Sequence, residues 1–336
     1  MQTIAWREEA GGFIRLLDQR LLPTKAVELD VKTNDELISA IQSLAVRGAP
    51  ALGVAGALGV ALIANCAVRE GWNQDRINRE ISALRLARPT AVNLAWGVDL
   101  AVAEMEKGAA AVLEFALGLA QADAKANREM GRIGADFLTK LLGNRKLRIL
   151  THCNTGALAT TEWGTALGVI QELNSRGLLQ EVFADETRPL LQGSRLTAWE
   201  LAQAGIPYRI LPDGAAASAL FAGLIDAVLI GADRIAKNGD SANKIGSLGV
   251  AVAADQVKVP FLVVAPESTV DRKINSGSEI EIEFRSDREV TTFAEINVAP
   301  VGSKTYNPAF DVTPARYITA VVTEKQVYRV KDGEAL

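Results

Sequence analysis

The chain has 336 residues, 49% of them hydrophobic and 23% charged, which excludes global disorder and allows about two domains of ~100–200 residues, each with its own core. A net charge of −4 argues against a dedicated nucleic-acid binder held by backbone charge, so an anionic ligand would need a local basic pocket. Two cysteines and one histidine exclude a disulfide scaffold and a Cys/His zinc cluster, and they point to a reducing compartment.

The N-terminal stretch MQTIAWREEAGG has neither the apolar core nor the cleavage site of a signal peptide, so a cytoplasmic location is expected. The first ~130 residues read as mainly helical. In NDELISAIQSLA (34–45), Leu37, Ile38, Ile41 and Leu44 fall on one helix face, with Thr33 or Asn34 as N-cap. Residues 49–64, APALGVAGALGVALIA, are too short for the roughly 20 residues of a membrane span and read as a buried core helix. Gly53, Gly56 and Gly59 do not form the dinucleotide pattern, and close helix packing explains their spacing. Ala109 to Leu142 is Ala-rich and strongly helix-prone.

The second half changes character. Apolar runs at 147–150, 182–184, 208–211, 227–230 and 261–264 end in polar or Gly-containing turns and alternate with helical segments. This is the pattern of repeated βαβ units. The predicted fold is α/β, a helical N-terminal domain (1–130) followed by a Rossmann-like, doubly wound parallel-sheet domain (131–336). In such sheets ligands bind beyond the carboxyl ends of the strands, which directs the search to the residues that follow each run.

Cys153 follows the first strand, just before a helix expected to start near Gly156, whose N–H groups would stabilise a thiolate or anion. A buried structural cysteine is the competing reading. Cys66 ends an apolar helix and reads as packing. His152 adjoins Cys153 and would point to the opposite face, so no Cys–His dyad is expected. Asp233 ends the fourth strand, where it is either a general acid or base, or a turn residue paired with Arg234. Asn243 and Lys244 precede a helix start, and together with free N–H groups they suggest a phosphate site. Arg47 and Gly48 lie before the apolar helix and Arg88 before Pro89, so each arginine is an anion ligand or a surface ion pair. Residues 186–195, ETRPLLQGSR, add Gln192 and two arginines.

Seven tracts, LLDQRLLPT, VRGAPALGVA, RPTAVNLAWG, LTHCNTGALAT, ETRPLLQGSRLTAWEL, IGADRIAKNGDSANKIG and NPAFDVTPARYITAVVTEK, together resemble the 5-methylthioribose-1-phosphate isomerase family. They run in order over almost the whole chain. The wider family also holds ribose-1,5-bisphosphate isomerases, 5-deoxyribose-1-phosphate isomerases and non-catalytic regulatory subunits of a translation-initiation exchange factor. The resemblance implies an aldose–ketose isomerase of methionine salvage and a cytoplasmic homodimer, with no cofactor, metal, nucleic-acid or membrane partner. It also implies catalytic roles for Cys153 and Asp233, and substrate binding by Arg47, Gly48, Ala49, Arg88, Gln192, Asn243 and Lys244. A sister isomerase or a sugar-phosphate- or nucleotide-sensing regulatory protein is the alternative, and the catalytic pair favours an enzyme. Residues 161–164 (TEWG), 212–217 (PDGAAA) and Phe284 depart from the usual family pattern, in loops that the resemblance would let shape the C5 end of the sugar.

Overall fold

The computed structural model describes residues 3–336. By packing, the chain divides into two units: residues up to Glu129 together with Thr155–Gly168, and Met130–Asn154 together with Val169–Leu336.

The first unit opens with an antiparallel sheet that the helical reading passed over, built from β1 (Ile4–Arg7), β2 (Phe13–Leu17) and β3 (Glu28–Val31). Ile4, Trp6, Ile14, Leu16 and Val31 are buried in its core. Helices α1 (Asn34–Gln42), α2 (Ala49–Glu70), α3 (Gln74–Arg85), α4 (Val92–Val102) and α5 (Ala109–Leu142) follow. The start of α1 is a capping box: the Thr33 hydroxyl accepts the Glu36 amide, and the Glu36 carboxylate accepts the Thr33 amide. Helix α5 covers the predicted Ala-rich segment end to end.

Helix α2 is the centre of this unit. It runs six residues beyond the apolar tract and stops at Gly71, which adopts a left-handed conformation (φ 64°). It is long and apolar enough to cross a membrane, yet 89% of its apolar window is buried inside the protein. Each leucine or valine so buried is worth about 1.5–3 kcal/mol. The glycines let α4 come close: a Cβ on Gly97 would lie 1.9 Å from the Gly53 carbonyl oxygen, and one on Gly56 would lie 2.7 Å from that of Leu94.

The second unit contains, in chain order, β4 (Leu147–Thr151), α6 (Ala166–Ser175), β5 (Leu179–Asp185), α7 (Ala198–Gln203), β6 (Tyr208–Leu211), α8 (Ala215–Phe221), β7 (Ala227–Ile230), β8 (Arg234–Ala236), β9 (Ser241–Lys244), α9 (Ser247–Gln256) and β10 (Phe261–Val264). Then come β11 (Val270–Asp271), α10 (Arg288–Thr291), β12 (Thr292–Phe293), β13 (Ile296–Asn297), β14 (Phe310–Thr313), β15 (Ala320–Val322) and β16 (Val327–Tyr328). All five predicted apolar runs are strands of one seven-stranded sheet, ordered β16-β15-β10-β7-β4-β5-β6. Only β16 is antiparallel. Numbered along the chain, the six parallel strands β6-β5-β4-β7-β10-β15 read 3-2-1-4-5-6, the doubly wound Rossmann order, whose direction reverses between β4 and β7. A second sheet, β11-β8-β9-β14, was not anticipated from the sequence. Its middle strand SANK is polar but wholly buried.

Replacing Gly97 with alanine forces α2 and α4 apart. Gly97→Ala is expected to lower unfolding free energy by about 1–3 kcal/mol, the usual cost of overpacking, as read by urea denaturation. A change within about 0.5 kcal/mol, typical of surface substitutions, would contradict this packing.

Candidate active site

The reversal point sets the geometry. β4 and β7 are hydrogen-bonded neighbours, with Thr151 opposite Leu229. Just past their carboxyl ends come Cys153, which is buried, and Asp233, which is half-buried. The Asp233 amide donates to the Ala242 carbonyl at 2.9 Å, which seats Asp233 beside the residue preceding Asn243. The Arg234 guanidinium turns to Asp271, its Nε donating at 3.0 Å.

Asn243 and Lys244 end β9 and are both buried. The Asn243 side-chain amide donates to Ser247 Oγ at 2.8 Å, and the Lys244 ammonium lies 5.1 Å from the centre of the Phe310 ring. Strand β14 pairs with β9 so that Asp311 faces Asn243 and Phe310 faces Lys244. This overturns part of the phosphate-site expectation. The amides of Gly246 and Leu248 at the head of α9 are not free, because they donate to the Asp311 carboxylate at 2.8 and 3.1 Å. Burial pushes the Asp311 carboxyl up, opposed by those two amides. Sequence reasoning missed Asp311, since the polar strand that aligns it lacks apolar alternation.

A second correction concerns Gly156. No α-helix begins there: Ala157–Ala159 form a single 3-10 turn, and α6 starts only at Ala166.

Cys153 itself adopts a left-handed backbone conformation, φ 62°, which is uncommon outside glycine. Its amide donates to Thr187 Oγ1 at 2.8 Å, and its carbonyl accepts from Thr197 Oγ1 at 2.6 Å. Gln192 lies on the loop after β5, just ahead of a π-helical turn over Gly193–Thr197. Its side chain is buried, and among the described residues its Oε1 finds no hydrogen-bond donor. In the first unit, Arg47, Gly48 and Ala49 surround the start of α2 and Arg88 lies between α3 and α4; the arginines are half-buried. Gly48 has φ 98°, and a Cβ there would lie 2.4 Å from the Ala159 carbonyl oxygen, so the backbone needs glycine. Cys66 is buried in the core of this unit, where burial pushes its thiol up.

His152 does not engage Cys153 as a base. Its Nδ1 is 2.9 Å from Asp185 Oδ2 and its Nε2 is 2.8 Å from the Ile245 carbonyl. Both His152 and Asp185 are buried. The pair ties the segment just past β4 to β5 and to the turn after Lys244. Asp213 lies close enough that the three side chains could hold a metal. However, Nδ1 and Oδ2 are at hydrogen-bond distance, and both Asp213 oxygens accept amides, from Thr187 and Arg188 at 2.7 and 2.6 Å. Burial lowers the imidazole pKa, but the Asp185 hydrogen bond and charge outweigh it and the net direction is up.

The model of the Initiation factor 2 subunit family matches residues 45–329. A Nocardia farcinica protein named probable bifunctional methylthioribose-1-phosphate isomerase/methylthioribulose-1-phosphate dehydratase is 51% identical over 97% of the chain, which spans only 58% of that longer protein. A Nitrosococcus oceani protein named methylthioribose-1-phosphate isomerase is 45% identical over 100% of the chain and 97% of its own length. Among solved structures, the Pyrococcus horikoshii 5-methylthioribose 1-phosphate isomerase aligns with TM-score 0.87 and 37% identity, covering 98% of this chain and 92% of that one. The A. fulgidus translation initiation factor eIF-2B subunit delta aligns with TM-score 0.83 and 39% identity, covering 98% and 96%.

His152 is the sole histidine, so its ring resonances report this pair alone. A group with a raised folded pKa stabilises the fold fully below its ordinary value, here 6.5, and loses that contribution as pH rises through the elevated one. Nitrogen-15 NMR is expected to find a ring titration midpoint above the ordinary 6.5. A midpoint at or below that value would contradict this balance of burial against the Asp185 contact.

Proposed function

The chain belongs to the Initiation factor 2 subunit family, and we propose that within it the protein is an aldose–ketose isomerase converting 5-methylthioribose 1-phosphate to 5-methylthioribulose 1-phosphate, a step of methionine salvage. One observation carries this reading: relatives named for this isomerase match nearly the whole chain at 44–48% identity. Cys153 and Asp233 beyond two adjacent central strands support it.

The substrate's ring is locked, because phosphate on the anomeric oxygen leaves no hydroxyl proton there to lose. Opening it requires acid assistance at the ring oxygen, and Asp233 is assigned that proton transfer. The ring oxygen becomes the C4 hydroxyl, one hydrogen passes from C2 to C1, and the C2 hydroxyl gives up its proton as the ketone forms. Cys153 serves as the base if the hydrogen moves as a proton, or shapes the transition state if it moves as a hydride. The substrate redistributes its own electrons, and the proposal includes no cofactor or metal.

Arg47, Gly48, Ala49 and Arg88 are assigned to substrate binding in the first unit, and Gln192, Asn243 and Lys244 in the second. The Gln192 amide oxygen, buried without a donor among the described residues, suits a sugar hydroxyl that would supply one. A cytoplasmic homodimer without nucleic-acid or membrane partners completes the proposal.

Phosphorus NMR with 5-methylthioribose 1-phosphate tests it. The anomeric phosphate should become a primary phosphate ester without release of inorganic phosphate. Cys153→Ser and Asp233→Asn should each cut turnover by at least ~100-fold, the low end for acid–base roles. Conversion by either variant at the parent rate would remove that residue from the mechanism. No conversion by the folded parent, on this sugar or on its 5-deoxy and 5-phospho analogues, would favour a binding protein.

A further inference from the structure

We propose that Thr187 and Thr197 are positioning residues that fix the direction of the Cys153 thiol, an inference resting on the assignment of Cys153 to the reaction. A left-handed backbone at a non-glycine residue is strained, and such strain persists only where the surroundings over-determine it. Here they do so from both sides. Thr187 takes the Cys153 amide and Thr197 gives to its carbonyl, and neither threonine is accessible to solvent.

Each hydroxyl has one proton, and the partners fix where it goes. Thr187 Oγ1 donates to the Asp185 carbonyl at 3.0 Å, so its lone pair faces the Cys153 amide. Thr187 is itself left-handed, at φ 65°, and is held there by the Asp213 carboxylate that accepts its amide. Thr197 Oγ1 spends its proton on the Cys153 carbonyl, so its lone pair is left for the Asn154 side-chain amide at 3.3 Å. That amide also donates to Glu200 Oε1 at 2.7 Å. Thr197 closes the π-helical turn, an irregularity that recurs at functional sites. The donor and acceptor roles cannot be exchanged, so both peptide groups of Cys153 are locked. Because φ and ψ orient the Cα–Cβ bond relative to both peptide groups and limit the χ1 rotamers open to the side chain, the lock also restricts where Sγ can point.

The test compares valine, which keeps the shape of threonine and removes the hydroxyl, with serine, which keeps the hydroxyl. Two readouts are used: steady-state isomerisation, and the pH dependence of Cys153 alkylation by iodoacetamide, resolved from Cys66 by peptide mass mapping. Thr197→Val and Thr187→Val should each lower kcat by about 100-fold with KM nearly unchanged, the scale of a small misplacement of a reacting group. They should also displace the alkylation profile, and the serine variants should restore both. Valine variants with parental kcat and a parental profile, or serine variants no better than valine, would overturn the proposal. If the valine forms do not fold, Thr197→Ala and Thr187→Ala, which add no apolar bulk, are read in the same way. The alkylation profile needs no substrate. A parent inactive on every sugar phosphate would therefore end the functional reading while the profile still decides whether the hydroxyls position the thiol.

Discussion

Parallel pairing constrains everything else in the second unit. A strand that must run the same way as its neighbour leaves all the carboxyl ends on one edge of the sheet. The chain enters at β4, builds outward through β5 and β6, then returns to the other side of β4 with β7. The connections that leave β4 and β7 diverge at that point, which opens a crevice between two strand ends. Cys153 and Asp233 follow those two strands. Their proximity in the fold is a consequence of strand order, although 80 positions of sequence separate them.

The second constraint is hydrogen-bond satisfaction. Irregular backbone beyond a sheet edge exposes amides and carbonyls that need partners once buried. Here side chains supply them: Thr187 and Thr197 for Cys153, Asp213 for Thr187 and Arg188, and Asp311 for the head of α9. His152 adds a cross-link, from β5 through its ring to the carbonyl of Ile245. Thr187, Thr197 and His152 are buried, while Asp213 and Asp311 are half-buried and each holds two backbone amides, so the edge of the sheet is braced where a substrate would need oriented groups.

Much of this was legible in the sequence, for identifiable reasons. Buried parallel strands are short continuous apolar runs, and two of them, Ala227–Ile230 and Phe261–Val264, have the predicted bounds, as does the exposed edge strand Tyr208–Leu211. The Thr33 cap and the Ala-rich α5 were legible because capping and helix propensity are local. The short strands β1–β3, β8 and β14 and the polar strand β9 escaped notice. Their stability comes from pairing with distant segments, and SANK carries no period-2 apolar pattern. Similarly, Cys153 could be placed after a strand, but not its left-handed backbone or the threonines that hold it, which come from 34 and 44 residues away. The helix starts imagined at Gly156 and the free amides before α9 failed for a related reason. The sequence indicates a turn without indicating which distant carboxylate fills it.

The central claim is that the chemistry sits beyond the carboxyl ends of β4 and β7. A crystal structure of the protein with the product 5-methylthioribulose 1-phosphate tests it most directly. The account predicts the sugar's C1 and C2 within contact distance of Cys153 and Asp233, with a sugar hydroxyl donating to the Gln192 amide oxygen. A product bound elsewhere, with Cys153 and Asp233 out of its reach, would contradict it.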